Sequence, residues 1–137
     1  MSAILLDTHV WIWYINGSDE LSKSIQKKIT AALHDNQAYV AAISLWEIGM
    51  LDKKQRIILE MPPLEWINKS INITRINVAP ITPEIAIESS FLPGKFHDDP
   101  ADRLIVATAR IEGLTLITRD KQILAYSQHN YVATSKA

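Results

Sequence analysis

Cysteine is absent from the 137 residues, so neither a disulfide framework nor a thiolate metal site can exist. A reducing compartment, the cytoplasm, is the expected location. An excess of positive charge is also missing. Fourteen Lys and Arg face fifteen Asp and Glu for a net charge of −1, so whole-domain attraction to a nucleic acid is excluded and an anionic substrate needs local help. No apolar run approaches the roughly 18 residues of a membrane span. The longest, Tyr39 to Trp46, ends at Glu47, and no membrane association is expected. The N-terminal segment has no basic region before its apolar run, which Asp7 interrupts, so no secretory signal is expected. Internal repeats and low-complexity tracts are lacking as well. What remains is an ordinary globular composition, 47% hydrophobic and 21% charged, able to bury a core. Its length suits a single domain, expected over residues 1–134, with 135–137 as a frayed tail.

Ala3-Ile-Leu-Leu6 is fully apolar and stops at an acid, the pattern of a short strand buried on both faces of a parallel sheet. Ala38-Tyr-Val-Ala-Ala42 and Leu114-Thr-Leu-Ile-Thr118 repeat it, and Ile73-Thr-Arg-Ile-Asn-Val78 is a weaker fourth candidate. Between them the period lengthens. Leu21, Ile25, Ile29 and Leu33 recur every four residues along one helical face, and Ala101 to Glu112 carries a broad apolar stripe closed by Gly113. Thr82-Pro83-Glu84 opens a helix to about Ser90, with Thr82 as N-cap and proline at the first helical position. Met61-Pro-Pro63 marks a turn. Strands alternating with helices predict an α/β fold with a parallel core.

Acids stand where these strands end. Asp7 follows the first strand, Glu47 lies shortly past the second, and Asp120 lies just past the third. Parallel strands share a carboxyl edge, where ligands bind, and a helix starting at Asp99 returns Asp102 near it. Each acid also has a structural reading. Ser44-Leu-Trp-Glu47 satisfies a capping box, Asp99 suits an N-cap with Asp102 in the first turn, Asp7-Thr8 can cap a helix through Trp11 and Trp13, and Arg119-Asp120-Lys121 reads as a solvated turn. The joint placement favours a site, because unrelated caps have no reason to meet at one edge. Crowded carboxylates repel and raise one another's pKa unless a cation neutralises them. An all-oxygen donor set selects Mg²⁺ or Mn²⁺ over zinc. His9, His34, His97 and His129 are assigned to surface or packing.

Four segments occur in sequence order: Leu5-Leu-Asp7-Thr-His9 with Trp11, Ser44-Leu-Trp-Glu47-Ile, His97-Asp-Asp-Pro100-Ala-Asp102-Arg-Leu-Ile-Val-Ala107-Thr-Ala, and Leu114-Thr-Leu-Ile-Thr-Arg-Asp120. In this set the chain resembles the PIN-domain family, and within it the VapC-like toxin ribonucleases of type II toxin–antitoxin systems. The resemblance implies a parallel sheet of four to five strands flanked by helices on both faces. It also implies an acidic quartet of Asp7, Glu47, Asp102 and Asp120 that holds Mg²⁺ or Mn²⁺ and hydrolyses RNA phosphodiester bonds. Asp7 and Asp102 are expected as direct ligands, Asp99 as an outer one, and Thr8 and Thr118 as donors orienting the carboxylates. Lys53, Lys54 and Arg56 beyond the Glu47 helix are candidate RNA contacts with a solvated helix end as the alternative. Arg103 and Arg119 beside two of the acids hold them by ion pairs or touch RNA.

Leu45, Trp46, Ile48, Met50 and Leu51 spread around more than one face of a short helix, so a second surface is expected to meet a partner. The alternative is a wide buried helix in a monomer. The resemblance implies a cognate antitoxin whose helical segment fills a groove, and a second copy of the chain as a homodimer. Two other acidic-edged α/β classes fit poorly. A phosphotransfer receiver needs paired acids after its first strand and a late lysine, and a haloacid-dehalogenase-like phosphatase needs an acid where this chain has His9. The remaining alternative is a PIN-like chain without catalysis, acting as an RNA- or protein-binding module.

Overall fold

The computed structural model describes residues 3–137. Five strands and seven helices follow one another as β1 (Ile4–Leu6), α1 (Thr8–Ile15), α2 (Lys23–His34), β2 (Ala38–Ala41), α3 (Ala42–Lys53), α4 (Pro63–Thr74), β3 (Asn77–Ala79), α5 (Pro83–Ser90), α6 (Pro100–Glu112), β4 (Thr115–Thr118), α7 (Lys121–Ser127) and β5 (Thr134–Lys136). The sheet runs in the order β3-β2-β1-β4-β5 with every pair parallel. The expected α/β class, with its sheet flanked on both faces, is observed.

The central strand explains why its sequence is apolar throughout. Ile4 and Leu6 face one layer with Val40 and Ile117, beneath Trp11 of α1, Ile29 of α2, Ile48 of α3 and Trp66 of α4. Leu5 faces the other, with Leu116, beneath Ile85 of α5, Ile105 and Val106 of α6 and Ile123 of α7. Alternate side chains therefore meet different helices, and no polar residue is tolerated on either face. The apolar residues of α3 divide between these layers: Ile48 and Leu51 pack under the first and Ile43 against the second, leaving Trp46 59% exposed.

Local chemistry places the helix ends. The Ser22 side chain accepts from the Ile25 N–H to start α2, and Thr82 accepts from Ile85 to start α5. Gly113 ends α6 at φ +67°, a left-handed conformation that favours glycine. The fourth strand is shorter and later than the expected Ile73–Val78. Ile73 and Thr74 finish α4, whose Trp66 and Ser70 are buried, and Arg75 closes that helix at φ +57°. The last residues are the other correction. Thr134–Lys136, including two of the three expected to fray, pair with β4, and the Ala137 N–H donates to the Thr118 carbonyl. Edge pairing uses backbone groups, so polar side chains do not prevent it.

Candidate active site at the carboxyl edge

Strand order reverses at β1, whose neighbours β2 and β4 are reached by crossovers in opposite directions, and Asp7 and Asp120 stand just beyond β1 and β4. In parallel sheets this switch point opens a crevice at the carboxyl edge. Asp7 caps α1, with Oδ1 accepting from the Thr8 N–H at 2.8 Å and Oδ2 from the Thr118 hydroxyl at 2.6 Å. Thr118 is fully buried, and its oxygen also accepts from the Asp120 N–H at 3.0 Å, so one hydroxyl ties the first acid to the last. Asp120 in turn caps α7 through Gln122 and Ile123. Asp120 is thus a half-buried N-cap where a solvated turn was expected, and the cap coexists with its position at the edge.

Glu47 does not close a capping box. Helix α3 begins earlier, at Ala42, with no side-chain cap, which carries Ser44 inside the helix. There the Ser44 hydroxyl is buried 2.7 Å from the Thr8 hydroxyl, and Thr8 donates to Glu47 Oε1 at 2.5 Å. Because the single Thr8 proton goes to the carboxylate, Ser44 is the donor to Thr8. Thr8 and Thr118 thus hold Glu47 and Asp7, as expected of them. Ser44 is an addition that its spacing of one helical turn from Glu47 could have signalled.

Asp99 caps α6, its Oδ2 accepting from the Asp102 N–H at 2.9 Å. Asp102 sits in the first turn with His97 Nε2 3.1 Å from its Oδ2. His97 is therefore at the site, not a remote surface or packing residue. The two flanking arginines are engaged inside the chain. Arg103 donates to the carbonyls of Ser89, Ser90, Phe96 and His97. Arg119 donates to the Glu20 side chain and carbonyl and to the Ala137 carbonyl, and lies 4.6 Å over the Trp13 ring. Neither pairs with an acid of the edge. Lys53, Lys54 and Arg56 are exposed beyond the end of α3.

Electrostatics tie the acids together. Burial pushes the Asp102 carboxyl up to about 8, and Asp7, Asp120, Asp99 and Glu47 each add to the rise. Burial likewise raises Asp7 and Glu47, against the pull of their hydroxyl donors. Among the described residues, no three acidic or histidine side chains converge closely enough to form a ready-made metal cage. The carboxylates feel one another's charge across an open edge. An open set of oxygen donors fits Mg²⁺ or Mn²⁺, which keep waters and complete their shells with substrate phosphate. Asp7 and Asp102 are the residues suited to hold such an ion, with Glu47 and Asp120 around it.

A cleft of about 400 Å³ leads to this edge between α3 and α6, with Trp46, Met50 and Pro100 in its wall and Glu47 and Asp99 at its polar side. A separate groove of about 580 Å³, lined by Tyr14, Thr30, Trp66 and Ile73 among others, contains none of the four acids.

Fold and edge together define a parallel α/β protein with an acidic ligand crevice. The chain belongs to the PIN domain family, whose model matches residues 4–128. It is 36% identical over 126 residues to Ribonuclease VapC22 from Mycobacterium tuberculosis, covering 92% of this chain and 93% of that protein, a likeness that makes it VapC-like. Two solved structures share the fold. VapBC2 from Rickettsia felis, bound to a DNA fragment from its promoter, aligns with a TM-score of 0.71 at 16% identity over 98% of each chain. FitAcB from Neisseria gonorrhoeae aligns at 0.61 and 20% identity, over 96% of this chain and 95% of that one.

Proposed function

We propose that this protein is a divalent-cation-dependent endoribonuclease and the toxin of a toxin–antitoxin pair. The observation that carries the reading is four carboxylates from separate elements near one sheet edge, where burial first and the neighbouring carboxylates second push Asp102 up to about 8. A cluster so short of positive charge suits a cation and, through it, a phosphodiester. The likeness to a relative named as a ribonuclease supports the same chemistry.

The chain's own residues do the positioning. Thr118 and the Thr8 N–H fix both oxygens of Asp7, and Thr8, itself held by Ser44, fixes Glu47. Asp7 and Asp102 would hold a Mg²⁺ or Mn²⁺ ion, with Glu47 and Asp120 contributing directly or through water and Asp99 as an outer carboxylate. When bound, the ion polarises the phosphate and lowers the pKa of an attacking water. Lys53, Lys54 and Arg56 are left to meet RNA phosphates away from the cut, since Arg103 and Arg119 are engaged within the fold.

Two protein partners belong to this reading. One is a cognate antitoxin, in keeping with solved relatives described as toxin–antitoxin complexes. The other is a second copy of the chain. Trp46 on α3, Ile87 on α5 and Phe91 just after it are 59%, 63% and 74% exposed, and α3 and α5 both pack on α6, so these large apolar side chains border one helical layer.

RNA cleavage by the purified chain in Mn²⁺ tests the nuclease reading. Asp7→Asn is expected to abolish cleavage without unfolding the protein. Cleavage that persists unchanged in that variant, or that survives chelation of the cation, overturns the proposal.

A further inference from the structure

His97 lies outside the acidic quartet, yet its ring has neighbours at both nitrogens and against Phe96. Its Nδ1 accepts from the Asp99 N–H at 3.3 Å, which assigns the proton of the neutral ring to Nε2. Nε2 is buried without a hydrogen-bond partner, and the nearest carboxylate oxygen, Asp102 Oδ2, lies 3.1 Å away outside hydrogen-bonding geometry. The ring lies 4.3 Å from Phe96, which packs at 4.8 Å on Tyr126 of α7. The backbone is fastened too, because Arg103 donates to the carbonyls of Phe96 and His97. Arg103 and Asp102 are neighbours on α6. One helix therefore anchors the strap between α5 and α6 with one residue and receives the strap's imidazole on the next.

We infer that His97 is a positioning residue for the cation site: its buried, otherwise unpartnered Nε2–H stands 3.1 Å from Asp102 Oδ2 and is placed to engage that oxygen and restrain the carboxylate when a cation binds. This rests on the cation reading proposed above. The physical reason is pre-organisation. An Asp side chain in the first turn of a helix, surrounded by like charges, turns away from them unless a donor restrains it, and every rotamer lost from the productive geometry weakens binding. Thr118 and Thr8 already hydrogen-bond to Asp7 and Glu47, whereas the nearest side-chain donor to Asp102 is the His97 Nε2–H, in contact and not yet bonded.

Mn²⁺ binding to the full chain, measured by calorimetry without RNA, tests the inference. His97→Ala and the shape-filling His97→Leu are expected to raise the Mn²⁺ dissociation constant about 10- to 100-fold. His97→Gln, which keeps an N–H donor, is expected to recover most of the loss. Melting temperatures in chelator report folding separately, and a merely structural role would move them while leaving affinity unchanged. Mn²⁺ affinity within twofold of wild type in folded His97→Leu, with binding lost in Asp102→Asn, overturns the role of His97 and leaves the cation site standing. Absence of Mn²⁺ binding to the wild type overturns both, and is distinguished because no variant is then needed.

Discussion

Burial and the surrounding carboxylates hold the Asp102 carboxyl at about 8, far above its ordinary 3.8. Between those values the native state keeps a proton that the unfolded chain has released. Stability of the cation-free protein therefore falls as pH rises from about 4 to about 8 and then levels. Asp7 and Glu47 are raised as well and act in the same direction. Asp102→Asn removes the penalty of ionising this carboxyl. In chelator at pH 8 the variant is expected to melt above the wild type, the gap closing near pH 4, and thermal denaturation at the two pH values checks it. A second consequence concerns Thr118, whose buried hydroxyl donates to Asp7 and accepts from the Asp120 N–H. Thr118→Val keeps the shape and removes both bonds. A loss of about 1–3 kcal/mol in urea denaturation is expected from the unsatisfied groups, with weaker Mn²⁺ binding in calorimetry.

At the scale of elements, the strap between α5 and α6 is set by one guanidinium. Arg103→Ala leaves the carbonyls of Ser89, Phe96 and His97 without their donor. Faster hydrogen exchange confined to residues 91–99 is the expected result, together with a loss of about 1.5–3 kcal/mol of stability. Elements whose evidence is local were readable from the sequence. The Thr82 cap, the Gly113 stop and the apolar central strands each fix a boundary by chemistry within a few residues. Asp7 and Asp120 were readable for the same reason, since each directly follows a strand and caps the next helix, whereas Glu47 lies inside α3. What escaped depended on distant partners. Strand β5 is polar and exists because β4 offers a free edge, α4 was masked by its Pro-rich start, and Ser44 looked like a cap until α3 was seen to begin at Ala42. His97 was hidden because a histidine gains meaning only when its loop is folded against α6.

For the whole molecule, the exposed Trp46, Ile87 and Phe91 have little to do with holding the fold together. Ile87→Ser and Phe91→Ser are therefore expected to change unfolding stability by no more than about 0.5 kcal/mol. In analytical ultracentrifugation the pair together should shift the chain from dimer towards monomer. Equal sedimentation of variant and wild type would remove this surface as the dimer contact. With a net charge of −1, the protein offers RNA no long-range attraction, so cleavage should respond to salt only as strongly as a few local phosphate contacts dictate.

The bond between Thr118 and Asp7 joins residues 111 positions apart, and the central strand that carries Asp7 is flanked on one side by β4, near the end of the chain. Translation proceeds from the N-terminus at about 5–20 residues per second, so Asp7 and Glu47 emerge seconds before their remaining neighbours exist. A partly made polypeptide has no β4, no Thr118 and no Asp120, and hence no finished crevice. The order of synthesis thus leaves the carboxyl edge unfinished until β4 and the residues just after it have been made.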